Sequence, residues 1–244
     1  MNSMFQFIKG IGGRLNSNGF SSIASQTDAA SIAFIKQMQR DLRKENVLET
    51  PFSELKVVVF DLETTGFYPR NGDRILSIGA VKMNGKQVLE KETYYSLVYS
   101  DQSLSNEIKM LTGIHEQALK EAPRIDQVLK EFYQFIKNDT LVAHHANHEK
   151  SFMQHMTWSM IKTNFQHRVL DTSFLTKIVV PECKLVTLDE CCAHFGLDID
   201  PGKRHHALED AIVTAKLWAK NVQLIQEKGF KNLQDVYSYL ATLK

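Results

Sequence analysis

The stretch Lys56-Val57-Val58-Val59-Phe60-Asp61-Leu62-Glu63-Thr64-Thr65-Gly66 decides how this chain is read. Its apolar, β-branched beginning predicts a buried strand. The run then passes into two carboxylates one residue apart and closes on a turn. Side chains alternate along a strand, so Asp61 and Glu63 share a face, with Cα atoms roughly 6.6 Å apart. At an effective dielectric of about 20 their repulsion is about 2.5 kcal/mol, large against the marginal stability of a domain. A divalent cation between them relieves it. Hard carboxylate oxygens suit Mg²⁺ or Mn²⁺, whereas zinc leans on His and Cys. Alone, an acidic pair at a strand end is an ordinary solvated edge. The glycine-bearing turn, and the habit of open α/β sheets of binding ligands at strand ends, shift the reading toward a site.

The 244 residues, 43% hydrophobic and 23% charged, suit one sizeable domain with appendages. The apolar runs are too short for a membrane-spanning helix. A net charge of +1 excludes a globally basic coat, so any polyanion is expected to be held locally. Cys183, Cys191 and Cys192 are odd in number and two are adjacent, which fits a reducing, cytoplasmic setting better than a disulfide framework. Cys191, Cys192 and His194 match no usual zinc spacing and read as small core residues and a surface His. Residues 1–27 hold no acidic residue, but their arginine is too scarce for a transit peptide, and they read as a tail.

From Asp28 to about Asn46, Ile32, Ile35, Met38 and Leu42 recur at helical spacing, with Thr27 or Asp28 as N-cap. This predicts an amphipathic helix outside the core. Pro51 marks a boundary, giving a tail and helix over 1–51 and the main domain, with the C-terminal helices, over 52–244. Arg74 to Lys82 and Val88 to Val98 read as strands joined at Asn84-Gly85. Helices are expected from Asn106 to Gly113, after Pro123, from Thr187 with a capping-box spacing to Gly196, from near His205 past Trp218, and after Gly229. Short strands are expected at Thr140 to His144 and Val169 to Thr172. The sum is an α/β fold, a mixed sheet with helices on both faces.

Two further stretches place histidines and an acid where a strand is expected to meet a helix: Val142-Ala143-His144-His145-Ala146-Asn147-His148-Glu149 and Lys203-Arg204-His205-His206-Ala207-Leu208-Glu209-Asp210. Either alone reads as a polar helix start. In this order, with the first stretch, they resemble the DnaQ-like, or DEDDh, 3′→5′ exonuclease family, and within it the proofreading (epsilon) subunit branch of bacterial DNA polymerase III. The resemblance covers residues 55–220 and includes Leu111-Thr112-Gly113-Ile114, Ala122-Pro123 and Leu170-Asp171-Thr172.

The resemblance implies a ribonuclease H-like fold and two cations, Mg²⁺ or Mn²⁺, held by Asp61, Glu63, Glu149 and Asp210, with Asp61 bridging both. It makes His205 the general base, with His206 only its neighbour. Thr64 and Thr65 match the backbone that cradles the terminal nucleotide, Phe67 the apolar side chain on the terminal bases, and His144 the histidine of the second motif. The implied substrate is a nucleic acid 3′ end, single-stranded DNA in the first instance, and the implied partner a DNA polymerase. The products would be nucleoside 5′-monophosphates.

The second motif departs from its pattern: His145 stands for Asn, His148 for an aromatic residue and Glu149 for Asp. The longer acid predicts a loosely held second cation and a preference for Mn²⁺, or a backbone set back to fit it. Two alternatives stay open: a nucleic-acid-binding module of the same fold with weak turnover, and a two-metal hydrolase of small phosphoesters.

Overall fold

In the computed structural model, which describes residues 29–42, 46–182 and 185–242, the opening run is β1 (Lys56–Thr64). It pairs antiparallel with β2 (Ile75–Asn84) on one side and parallel with β4 (Thr140–Ala143) on the other. β3 (Gln87–Leu97) adds antiparallel to β2, and β5 (Val169–Asp171) parallel to β4, giving the order β3-β2-β1-β4-β5. The expected mixed sheet is present. The first hairpin turns one residue later than its dipeptide suggested: Asn84 pairs with Gln87, so Gly85 and Lys86 are its central residues.

Helices cover both faces. Val58, Phe60 and Leu62 enter one core with Phe132 of α4 (Ile125–Ile136) and Phe152 and Met153 of α5 (Asn147–Ile161). Val57 and Val59 enter the other with Leu175 of α6 (Thr172–Val179) and Trp218 and Val222 of α8 (Ala207–Glu227). Burial on both sides explains why β1 reads as an unbroken apolar run. Alternation then puts Asp61 and Glu63 on the face that α8 covers.

The amphipathic helix α1 (Ala29–Asp41) is present but is not outside the core. Ile35 is 1% exposed and packs with residues of α4 and α5. The periodicity revealed an apolar stripe; what the stripe faces depends on a groove that only the folded chain forms. Its N-cap candidates Thr27 and Asp28, and Cys183, lie outside the described residues.

α2 (Asn106–Thr112) stops at Gly113, and α3 (Glu116–Glu121) follows it. α7 (Leu188–Phe195) carries the expected reciprocal capping box between Thr187 and Glu190, with Cys191 and Cys192 buried and His194 exposed. α9 (Leu233–Thr242) ends the described chain. α6 is a helix the sequence reading did not place. Asp171 ends β5 and caps α6 at once, accepting from Ser173 N–H at 2.8 Å.

Candidate active site

Asp61 and Glu63 leave the C-terminal end of β1, and Asp210 rises from the first turn of α8. One carboxylate oxygen from each lies within 4.8 Å of the others. Gly79 of β2 makes this possible. It pairs with Asp61, and a Cβ on it would stand 2.1 Å from the backbone nitrogen of Leu208 and 2.2 Å from the carbonyl carbon of Ala207. The start of α8 therefore rests directly on the strand beside β1, which brings Asp210 down to the other two acids.

Such a cluster of acids resists ionisation. Desolvation, then the charges of Glu63, Glu149 and Asp210, hold the Asp61 carboxyl well above its usual range. Burial and Asp210 push Glu63 up to about 8. Arg204 offsets part of this: its guanidinium donates to Asp210 Oδ1, and also to Asp189 Oδ1 at 2.8 Å. The second Asp210 oxygen accepts from the His205 backbone N–H at 3.1 Å.

Glu149, in the first turn of α5, is 3% exposed, and its Oε2 has no hydrogen-bond partner among the described residues. Burial, and then the charges of Asp171 and Glu63, push it up to about 8. It is not one of the three acids whose oxygens lie within 4.8 Å of one another, although its charge acts on Asp61 and that of Glu63 acts on it. Asp171 is no substitute for it, since its two oxygens accept from Ser173 N–H and Ala146 N–H and tie the second motif to α6. Buried carboxylates with one orphaned oxygen beside them are a hard-oxygen donor set, which fits Mg²⁺ or Mn²⁺.

The histidines divide by their surroundings. His205 is half-buried at φ 60, beside Asp210, and desolvation together with the charge of Arg204 lowers its pKa. His206 stacks on Tyr95. His144 is buried: its Nε2 faces the Val186 carbonyl at 3.0 Å and its Nδ1 the Thr172 hydroxyl at 2.7 Å. A carbonyl only accepts, so Nε2 carries the proton and Nδ1 accepts from Thr172. Burial pushes His144 down to about 4, which keeps it neutral.

The turn after β1 is built around Asp73, which the sequence reading passed over. It accepts from Thr65 Oγ1 at 3.2 Å and Tyr68 N–H at 2.9 Å, and a Cβ on Gly66 would meet its Oδ2 at 2.4 Å. Thr64 Oγ1 donates to the Gly66 carbonyl at 2.7 Å and lies 3.3 Å from His148 Nε2. Phe67, 53% exposed, meets the His148 ring edge-on with centroids 5.5 Å apart. A groove lined by Met110, Leu111, Lys203, His205 and His206 joins the Leu-Thr-Gly segment to the last motif. Asp73 and Arg204 have partners within a few to fifteen positions but no motif that marks them, and the backbone that Gly79 admits, at Ala207 and Leu208, is distant in sequence.

The exonuclease family (RNase_T) matches residues 58–218, a span holding Asp61, Glu63, Glu149, His205 and Asp210. The PolC-type DNA polymerase III of Caldanaerobacter subterraneus is 36% identical over 187 residues, 77% of this chain but only 13% of that protein's length. The DNA polymerase III subunit epsilon of Aquifex aeolicus is 32% identical over 196 residues, 80% of this chain and 91% of that one. Among solved structures, the nuclease domain of 3′hExo, a DEDDh family member bound to rAMP, shares the fold at a TM-score of 0.62 and 18% identity, covering 73% of this chain and 95% of that one. Exonuclease X in complex with 5′ overhanging duplex DNA does so at 0.56 and 20%, covering 74% and 97%.

Proposed function

Because this chain belongs to the exonuclease (RNase_T) family, we propose that it removes nucleotides from the 3′ end of nucleic acid, single-stranded DNA first, releasing nucleoside 5′-monophosphates. The observation that carries the reading is the convergence of Asp61, Glu63 and Asp210 within 4.8 Å, with His205 hydrogen-bonded to the last of them through its backbone.

In this reading Asp61, Glu63, Glu149 and Asp210 hold two divalent cations, Mg²⁺ or Mn²⁺, which supply positive charge and Lewis acidity to the phosphodiester. The chain's own residues do the rest. His205, kept neutral by desolvation and by Arg204, takes the proton from the attacking water through its imidazole. The Thr64-Thr65 turn, braced by Asp73, receives the terminal nucleotide. Phe67 offers an exposed ring to the last bases, a contact that tolerates any sequence. The groove between residues 110–113 and 201–206 suits the approaching strand. His144 acts from behind, joining α6 to the segment that carries Val186.

Association with a DNA polymerase is part of the same proposal, supported by the relatives' own descriptions. So is a cytoplasmic setting; among the described residues no helix is long and apolar enough to cross a membrane. We keep residues 52–244 as the exonuclease domain and 1–51 as its extension. One observation favours the weak-turnover alternative, namely that Glu149 is not among the acids whose oxygens converge within 4.8 Å. Digestion of single-stranded DNA and RNA labelled at the 5′ end, with Mg²⁺, with Mn²⁺ and with chelator, decides. Metal-dependent shortening from the 3′ end is expected; binding without cleavage selects the alternative.

A further inference from the structure

A row of three residues crosses the antiparallel half of the sheet. Asp61 of β1 pairs with Gly79 of β2, and Gly79 with Tyr95 of β3. Residues paired across strands share a face, so all three belong to the face on which α8 begins. Each has a distinct part: an acid, a gap and a ring. Gly79 admits the backbone of Ala207 and Leu208. Tyr95 receives the imidazole of His206, with ring centroids 4.5 Å apart and planes 19° from parallel.

His206 is the N-cap residue of α8, yet its side chain makes no capping hydrogen bond. Its buried Nδ1 has no hydrogen-bond partner among the described residues. What fixes the ring is therefore the stack on Tyr95. Tyr95 itself is 39% exposed on an edge strand, so filling the core is not its main contribution.

The residue before His206 is His205, whose φ of 60 lies in the left-handed region that residues other than glycine seldom adopt. Such a conformation persists only where the surroundings over-determine it. On one side the His205 N–H is held by Asp210 Oδ2 at 3.1 Å. On the other, the next side chain is clamped against Tyr95.

We propose that Tyr95 is a positioning residue for the general base: through its stack on His206 it holds the backbone turn that keeps His205 beside the acid cluster. The role rests on the nuclease reading above. The stack is made by the ring, whereas the hydroxyl lies near Ser77 and feels the charge of Glu63, so the role requires that phenylalanine serve in its place.

The test compares Tyr95→Ala, Tyr95→Phe, His206→Ala and the double alanine variant, reading kcat, KM and hydrogen exchange at the His205 amide. Tyr95→Ala and His206→Ala should each lower kcat about tenfold, about 1.4 kcal/mol in the barrier, and leave KM nearly unchanged. The double variant should lose no more than either single one. Exchange at His205 should quicken in both, while Tyr95→Phe keeps wild-type rate and protection. Wild-type kcat or wild-type exchange in Tyr95→Ala overturns the role, as does a loss that Tyr95→Phe fails to restore. A wild-type chain inert on nucleic acid would instead bring down the nuclease reading, whereas a fully active Tyr95→Ala brings down the positioning role alone.

Discussion

Gly79 lies opposite Asp61 in the β1–β2 ladder, and the backbone of Leu208 occupies the space where a side chain on Gly79 would stand, 2.1 Å from an ideal Cβ. The third acid reaches the first two only because α8 can start this close to the sheet.

Gly79→Ala should therefore displace the start of α8 and Asp210 with it. The neighbouring atoms are backbone and cannot rotate away. A stability loss of about 1–3 kcal/mol in urea unfolding is expected from overpacking, with a fall in nuclease rate at temperatures where the variant remains folded. Wild-type stability and rate in this variant would show that α8 tolerates a wider spacing.

His205→Ala should lose about 10² to 10⁴ in kcat, the usual value of a general base. His206→Ala should lose far less. The acid is shared by both residues' surroundings, since the His205 N–H and the His206 carbonyl each bond to Asp210, the latter accepting from its N–H at 2.9 Å. Only His205 matches the base position. Equal losses on a single-turnover assay would mean that the last motif is misassigned.

Much of this was legible in the sequence because the signals are local. The apolar run into Asp61 and Glu63, the capping box at Thr187 and the stop at Gly196 depend on residues a few positions apart. The opposite holds for Gly79, whose need for no side chain is set by Leu208 far along the chain. Nothing local marks Tyr95 among the residues of its strand, because its stack on His206 joins β3 to the start of α8. α6 went unplaced because Asp171 reads equally well as the end of a strand and the cap of a helix, and it is both. Helix α1 showed its apolar stripe but not the groove between α4 and α5 that buries Ile35.

The raised carboxyls predict how metal and pH act on stability. Glu63 and Glu149 keep their protons up to about 8 in the folded chain, against an ordinary 4.5. Between these values the folded state binds more protons than the unfolded one, so their contribution is full below about 4.5 and is lost as pH rises toward 8. His144, His148 and His167, each pushed down by burial to about 4, act oppositely, but only below about 6.5. Above that pH the carboxyls alone count. In chelator the melting temperature should fall from pH 6.5 to 8.5, and Mn²⁺ should raise it more at the higher pH. A metal-induced shift independent of pH would contradict the carboxyl cluster as the binding site.

Glu149 bears on the choice of metal. A site shaped for Asp receives a side chain about 1.5 Å longer, while Mg²⁺ wants near-ideal geometry at about 2.0–2.1 Å. We expect Mn²⁺ to support a several-fold higher rate than Mg²⁺, and Glu149→Asp to raise the Mg²⁺-supported rate. Lower rates for Glu149→Asp with both metals would show a backbone fitted to the longer acid.

The most direct test of the account is the action of the wild-type chain and of Asp61→Ala on single-stranded DNA labelled at its 5′ end, followed nucleotide by nucleotide with and without divalent metal. Removing Asp61 takes away a carboxylate that would hold the cations and relieves repulsion with Glu63, so the variant should fold at least as stably in chelator. The account predicts a ladder shortening from the 3′ end, with 5′-monophosphates released, by the wild type in Mg²⁺ or Mn²⁺, and none by Asp61→Ala or in chelator. Comparable shortening by the folded Asp61→Ala protein would contradict it.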